Sequence, residues 1–296
     1  MSGITQSPPS PASLVTDADI AFYREHGYWV SPPFIPDEPL DIAEQGMYRL
    51  YADDVDHLLD WDRRSDLDSF PPGRYSHWGW RPSHGDVMRK NDYSSLRVTN
   101  LAQLVRFPLI AACAARLSGN DELRLWHDQL LYKPVDTGRN QANVQWHTDR
   151  FYWLTCSSED MFTAWIPFAD VSQENGAMSV VDGSHRWSDE LDIDWQNAPF
   201  SVIGDVLSAR GAELVSVSLK RGQVSFHHCK TIHGSGPNRS REPRRSLVVH
   251  YQPGSNHYLV ERHRRHPNDD LVRRTEEGDP DYSDPDVCPE LYPLDA

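Results

Sequence analysis

The feature that most constrains the fold of this 296-residue chain is a series of short apolar runs in its second half. Leu123 to Tyr132, Val144 to His147, Phe162 to Pro167, Met178 to Val181, Leu214 to Leu219, Val224 to His227 and Ser246 to Tyr251 recur with Gly, Pro and Asn between them. Runs this short, bounded by turn formers, read as strands, and several in succession argue a jelly roll or barrel. The first half reads differently. Thr16 and Asp17 can cap a helix that presents Ile20, Phe22, Tyr23 and His26 and stops at Gly27, after which Tyr28-Trp29-Val30 predicts a strand. The spacing of Leu40, Ala43, Met47, Leu50 and Tyr51 predicts a second helix over Glu38 to Leu59. Ser94 to Ser118 predicts helix again, with Pro108 starting a new segment. Asp60 to Pro82 has no period and is expected to be a long loop, a type of segment that often carries function. The expected class is mainly β with flanking helices.

No internal repeat or composition break divides the chain, so residues 16–296 are expected to form a single domain, with 1–15 a flexible Ser/Pro-rich lead-in and 255–296 an irregular C-terminal segment. A net charge of −15 argues against a nucleic-acid surface, which needs an excess of Lys and Arg, and it suits anionic membranes poorly. No continuous apolar run of about 18 residues stands out, so no membrane span is expected. Met1 to Ser13 lacks the basic-then-apolar layout of a secretion signal. Four scattered cysteines, Cys113, Cys156, Cys229 and Cys288, form no CxxC and fit reduced thiols, so a cytoplasmic location is expected. Ten Trp and twelve Tyr suit a small-molecule pocket, although ordinary packing uses aromatics as well. Nothing in the sequence reports oligomeric state.

Trp146-His147-Thr148-Asp149 carries the densest chemistry, and His233 follows His147 by 86 positions. Two imidazoles and one carboxylate are the donors of a facial triad, which grips Fe(II) on one side and leaves other positions open. In a strand, residues i and i+2 share a face, so His147 and Asp149 could reach one metal while Thr148 points away. His185, His227, His228 and His250 compete with His233 for the third place. His233 is preferred because Gly234-Ser235-Gly236-Pro237-Asn238 can end its strand and return the chain as an adjacent strand beginning at Arg244. A guanidinium fork at the base of a β-lined pocket suits bidentate capture of a carboxylate. The competing reading for Arg244 is a solvated surface charge among Arg239, Arg241 and Arg245.

Gln129-Leu130-Leu131-Tyr132-Lys133-Pro134, Trp146-His147-Thr148-Asp149, Thr163-Ala164-Trp165-Ile166-Pro167, Glu174-Asn175-Gly176-Ala177, Gly183-Ser184-His185 and His233-Gly234-Ser235-Gly236 with Arg244 occur in an order and spacing that resembles the phytanoyl-CoA dioxygenase family. The likeness spans roughly residues 16 to 254 and includes the opening helix and strand, Asp19 to Val30. It implies a double-stranded β-helix, a cupin-like jelly roll, with Fe(II), 2-oxoglutarate as co-substrate and O2. By this resemblance His147, Asp149 and His233 are the metal ligands, and Arg244 pairs with the far carboxylate of 2-oxoglutarate. Gln129, Trp165 and Ser235 match positions beside the co-substrate, and Lys90 is a looser match to a further contact. The family's usual Pro-Gly-Ser-His is Asp182-Gly183-Ser184-His185 here, and His185 is expected to be structural.

The implied reaction hydroxylates an unactivated C–H bond of a small molecule, as in specialised metabolism, with release of succinate and CO2. Halogenating relatives lack the carboxylate that Asp149 supplies; desaturation, ring formation and epoxidation use the same ligands. Tyr75, His77 and Trp78, the pair Arg150 and Phe151, and the segment Asn256 to His266 are expected at the substrate mouth. A redox-silent zinc enzyme on a similar barrel is the competing reading, since the same donors bind zinc, but it gives Arg244 and Trp165 no task. A non-catalytic, cupin-like binding protein is the third reading, and the presence of all three ligands counts against it.

Overall fold

A computed structural model describes residues 10–59, 86–138, 143–188, 193, 198–260 and 266–293. The elements in chain order begin α1 (Pro11–Leu14), α2 (Asp17–His26), β1 (Tyr28–Val30), α3 (Asp37–Tyr51), β2 (Arg89–Asp92), α4 (Ser94–Arg97), α5 (Thr99–Val105), α6 (Pro108–Ser118) and β3 (Leu123–Lys133). They continue with β4 (Val144–His147), β5 (Phe162–Pro167), β6 (Met178–Val181), α7 (Val202–Arg210), β7 (Leu214–Val217), β8 (Ser225–His228), β9 (His233–Ser235), β10 (Arg244–Pro253), α8 (Asn268–Leu271) and β11 (Glu290–Tyr292). Two antiparallel sheets result. The larger follows the order β1-β8-β5-β10-β3-β11, with β2 also paired to β3, and the smaller follows β4-β9-β6-β7.

Alternation along the larger sheet decides what each face does. Leu247 and Val249 on β10, Ala164 and Ile166 on β5, Phe226 on β8 and Leu130 on β3 join Met47, Leu50, Leu101, Leu104 and Ile110 of the helices in one apolar core. Each of the larger of these side chains contributes about 1.5–3 kcal/mol on burial, so this face fixes the helices to the sheet. The residues between them, including Val248, His250, Thr163, Trp165, Gln129 and Leu131, face the smaller sheet and line a pocket. One sheet therefore supplies both a greasy outer wall and a chemically varied inner one.

Local signals at the first helix are met closely. Thr16 and Asp19 form a reciprocal capping box, and Gly27 ends α2 with φ +78°. A methyl group on Gly27 would lie 2.3 Å from His185 Nδ1 and 2.7 Å from Thr231 Oγ1, so strain and collision act together. Gly27→Ala is expected to cost at least about 2 kcal/mol, read as a lower urea midpoint at unchanged slope.

Other expectations are corrected. The second helix stops at Tyr51 rather than Leu59, because Asp53 takes φ +57° and the Arg49 guanidinium gathers Asp54 at 2.8 Å and Asp56 at 2.7 Å. The lead-in is shorter than residues 1–15: Ser10 caps α1, and Leu14 and Val15 are core residues. Residues 255–296 are not simply irregular, since α8 forms, β11 pairs with β3, and Val272, Tyr282, Val287 and Cys288 pack around Trp126. Thr99–Ser118 reaches a mean hydropathy of 1.3 over an 18-residue window, long and apolar enough to cross a membrane by composition. It is divided into α5 and α6 at Pro108, and 56 % of that window is buried in this fold. The strand after His233 does not lie beside it: β9 belongs to the smaller sheet and β10 to the larger, so the chain crosses between the sheets. The Asp60 to Pro82 loop, with Tyr75, His77 and Trp78, lies outside the described residues.

Candidate metal centre and anion pocket

His147 ends β4 and stands opposite His233 on β9, across an irregularity in the register that follows Val144. Asp149 does not continue the strand. Thr148 remains extended (φ −110°, ψ 144°) and Asp149 opens a 3₁₀ turn, Asp149–Tyr152. The single extended residue still leaves the two ligands on one side, so the alternation argument holds for the pair although the strand has ended. Nε2 of His147 and Nε2 of His233 each lie 3.7 Å from Asp149 Oδ1. Ligating atoms of these three residues all fall within 4.8 Å of one another.

The rest of each ring is also set for a metal. Nδ1 of His147 bonds the Gln145 carbonyl at 2.7 Å, and Nδ1 of His233 bonds the Thr231 carbonyl at 3.0 Å. A carbonyl can only accept, so each Nδ1 carries the proton and each Nε2 presents a lone pair to the common point. Burial pushes both imidazoles below their ordinary range, towards the neutral form a cation requires. Burial alone would raise Asp149, but the surrounding His233, His227 and His250 outweigh it and hold the carboxyl well below the usual range. A carboxylate and two neutral imidazoles, preset in tautomer, fit a divalent transition metal.

Of the competing histidines, His227 and His250 enter the same pocket while His185 and His228 do not. His228 points the opposite way along β8 and its Nδ1 accepts the Lys230 N–H at 3.1 Å. His185 meets the Arg24 carbonyl at 3.1 Å and packs on Gly27, a structural post as expected.

Beside the triad the pocket collects Lys90, Gln129, Trp165, Ser235 and Arg244, the five residues marked as co-substrate contacts. Arg244 is buried, and its Nη1 donates to the Gly176 carbonyl at 2.6 Å while Nε has no partner. Its guanidinium carbon lies 5.0 Å from the centre of the Trp165 ring, whose Nε1 donates to Ser246 Oγ at 2.9 Å. Gly176 takes φ +77°, and a methyl group there would press on the Gly236 carbonyl and Lys133 Cδ at 3.0 Å. The Glu174-Asn175-Gly176-Ala177 turn thus orients the guanidinium with its backbone. Burial lowers Arg244 to about 10.

Sequence reasoning quoted Lys133 without giving it a role. The structure buries it at the end of β3, where Nζ donates to Ser235 Oγ at 2.7 Å and to the Gly236 carbonyl at 2.6 Å. Burial first, then repulsion from Arg244 and Lys90, pushes it down to about 6. Lys90 and Arg244 both line the pocket, and among the described residues its lining holds one carboxylate, Asp149, which serves the triad. Such a site is short of negative charge and suits an anion with more than one carboxylate. Alternation Gln129-Leu131-Lys133 along β3 is the signal that would have found Lys133.

Arg150 and Phe151 are not at the pocket. The 3₁₀ turn carries them away, and Arg150 donates to the carbonyls of Trp153 and Cys156. Asn256 is likewise structural, bridging Gln252 at 2.7 Å and the Ser158 N–H at 3.0 Å, and His266 packs its ring 4.6 Å from that of Trp126.

Comparison with known proteins bears on this arrangement. A family model described as phytanoyl-CoA dioxygenase (PhyH) matches residues 23–246. The peroxisomal phytanoyl-CoA dioxygenase of Homo sapiens is 23 % identical over 243 residues, covering 80 % of this chain and 68 % of that protein. A probable alpha-ketoglutarate-dependent hypophosphite dioxygenase of Stutzerimonas stutzeri is 30 % identical over 172 residues, 56 % of this chain and 57 % of that one. The chain thus spans about two thirds of the human protein and just over half of the bacterial one. Among solved structures, the non-heme alpha ketoglutarate dependent epimerase SnoN from nogalamycin biosynthesis superposes with a TM-score of 0.62 at 25 % identity, covering 84 % of this chain and 86 % of that chain.

Proposed function

The chain belongs to the phytanoyl-CoA dioxygenase family of 2-oxoglutarate-dependent dioxygenases, and we propose that it uses Fe(II), 2-oxoglutarate and O2 to hydroxylate an unactivated C–H bond of a small molecule. The observation that carries this reading is the adjacency of two sites in one pocket: a preset triad of His147, Asp149 and His233, and a buried guanidinium with a free donor at Arg244.

His147, Asp149 and His233 would hold the iron, which when loaded with co-substrate and O2 supplies the oxidising chemistry that no amino-acid side chain offers. Arg244 offers a fork to the far carboxylate of 2-oxoglutarate, and Lys133 fixes Ser235 Oγ as an acceptor so that the serine's own proton is left for the same carboxylate. Trp165 walls the pocket beside Arg244, and Leu131, Val144, Met178 and Val248 give it apolar sides that limit water. A redox-silent metal site leaves the cationic end of this pocket without a purpose. Likeness to an epimerase supports the co-substrate chemistry more than any one outcome for the substrate.

The reading is tested by supplying the purified protein with Fe(II), ascorbate and 2-oxoglutarate and following succinate and O2 together. Slow succinate formation that EDTA stops and Fe(II), but not Zn(II), restores is expected. Succinate no higher than in the metal-free control, across a panel of small-molecule substrates, overturns it.

A further inference from the structure

The two oxygens of Asp149 have different surroundings. Oδ1 faces the two ligand imidazoles, 3.7 Å from each Nε2. Oδ2 turns to the larger sheet, where it accepts the Thr163 hydroxyl at 2.6 Å and lies 3.3 Å from His227 Nε2. Thr163 has one proton, so with that proton on Asp149 its oxygen is left to accept Nδ1–H of His250, 2.8 Å away. His250 in turn stacks on His127, ring centres 4.2 Å apart.

These contacts follow from strand register. Thr163 on β5 stands opposite His227 on β8 and opposite His250 on β10, and His250 stands opposite His127 on β3. Directly opposed residues of antiparallel strands share a face, so the four form one polar row, of which His227, Thr163 and His250 line the pocket. His227 is buried, and neither of its ring nitrogens is in a formed hydrogen bond. A buried imidazole left this way is unfavourable unless the site uses it, and its Nε2 lies against Asp149.

A carboxylate can bind a cation through one oxygen or through both. With Oδ2 unrestrained, Asp149 could turn both oxygens to the ion and fill a position that the co-substrate or O2 needs. We propose that the row His227-Thr163-His250 is a brace that restricts Asp149 to ligation through Oδ1, with Thr163 and His227 as positioning residues on Oδ2. The inference rests on the metal-binding reading above.

The test uses Co(II) alone, added to the metal-free protein. It reads affinity and visible absorption, whose intensity per bound ion falls as coordination number rises. Thr163→Val and His227→Phe are expected to bind Co(II) roughly 10–100-fold more weakly than wild type. Both should also absorb less per bound ion, as Asp149 turns to ligation through both oxygens. Thr163→Ser and His227→Gln, which keep a donor at each place, should recover most of the affinity, a result that general loss of packing does not give. Wild-type affinity and spectrum in both Thr163→Val and His227→Phe overturn the brace. So does stronger absorption in His227→Phe, which would mark His227 as a ligand. Failure of the wild type to bind Co(II) removes the metal centre and the brace with it, whereas normal wild-type binding with unaffected variants removes the brace alone.

Discussion

Asp149→Ala is expected to reduce succinate formation to background and to eliminate stoichiometric Fe(II) binding in an anaerobic titration. The reason is geometric. Asp149 Oδ1 is the apex that both His147 Nε2 and His233 Nε2 approach at 3.7 Å, and among the described residues Asp149 is the one carboxylate in the pocket lining. Without it, two neutral imidazoles remain, a weaker donor set for a hard-to-medium cation. Folding should survive. The side chain lies on the inner face rather than in the apolar core against the helices, and its removal leaves Thr163 and His250 bonded to each other at 2.8 Å. Far-UV circular dichroism beside the titration separates the two effects. A folded Asp149→Ala protein that still binds iron and turns over 2-oxoglutarate at the wild-type rate sinks the assignment of the triad.

The second large effect belongs to Arg244. Hydrogen bonds to a charged partner are worth about 1.5–3 kcal/mol, so losing the fork should raise the KM for 2-oxoglutarate by roughly 10- to 150-fold. The turnover number should change far less, because the metal and the substrate face are untouched. Arg244→Lys should recover only part of the loss, since an ammonium cannot pair with both carboxylate oxygens as a fork does. Neighbouring arginines cannot take over. Arg245 points to the other face and pairs with Glu44 at 2.6 Å, and Arg241 is exposed. Steady-state succinate rates against 2-oxoglutarate concentration check this; an unchanged KM in Arg244→Ala removes the residue from its role.

Legibility from sequence varied with the range of the interaction involved. The cap at Thr16, the stop at Gly27 and the run of short strands depend on neighbours in the chain, and the structure bears them out. The end of α3 was missed because it is decided by the side chain of Arg49 reaching past the helix to Asp54 and Asp56. The C-terminal segment read as irregular because its residues acquire order only against Trp126 and β3, far away in sequence. Arg150 looked like a substrate contact from its place beside Asp149, and a 3₁₀ turn that no apolar pattern announces carried it away.

At the site the same division holds. The chain alone supplied the donor types: a His-x-Asp pair, a later His before a glycine-rich turn, and an arginine eleven positions beyond. It could not say that β9 and β10 part into opposite sheets, so that His233 and Arg244 meet from two walls rather than along one hairpin. Nor could it separate His227 and His250, which enter the pocket, from His185 and His228, which do not. Those choices depend on the register between strands dozens of residues apart, and a shift of one residue would turn every side chain of a strand to the other face. Ligand chemistry is a property of residue type and is written locally; convergence is a property of strand pairing, and only the folded sheets decide it.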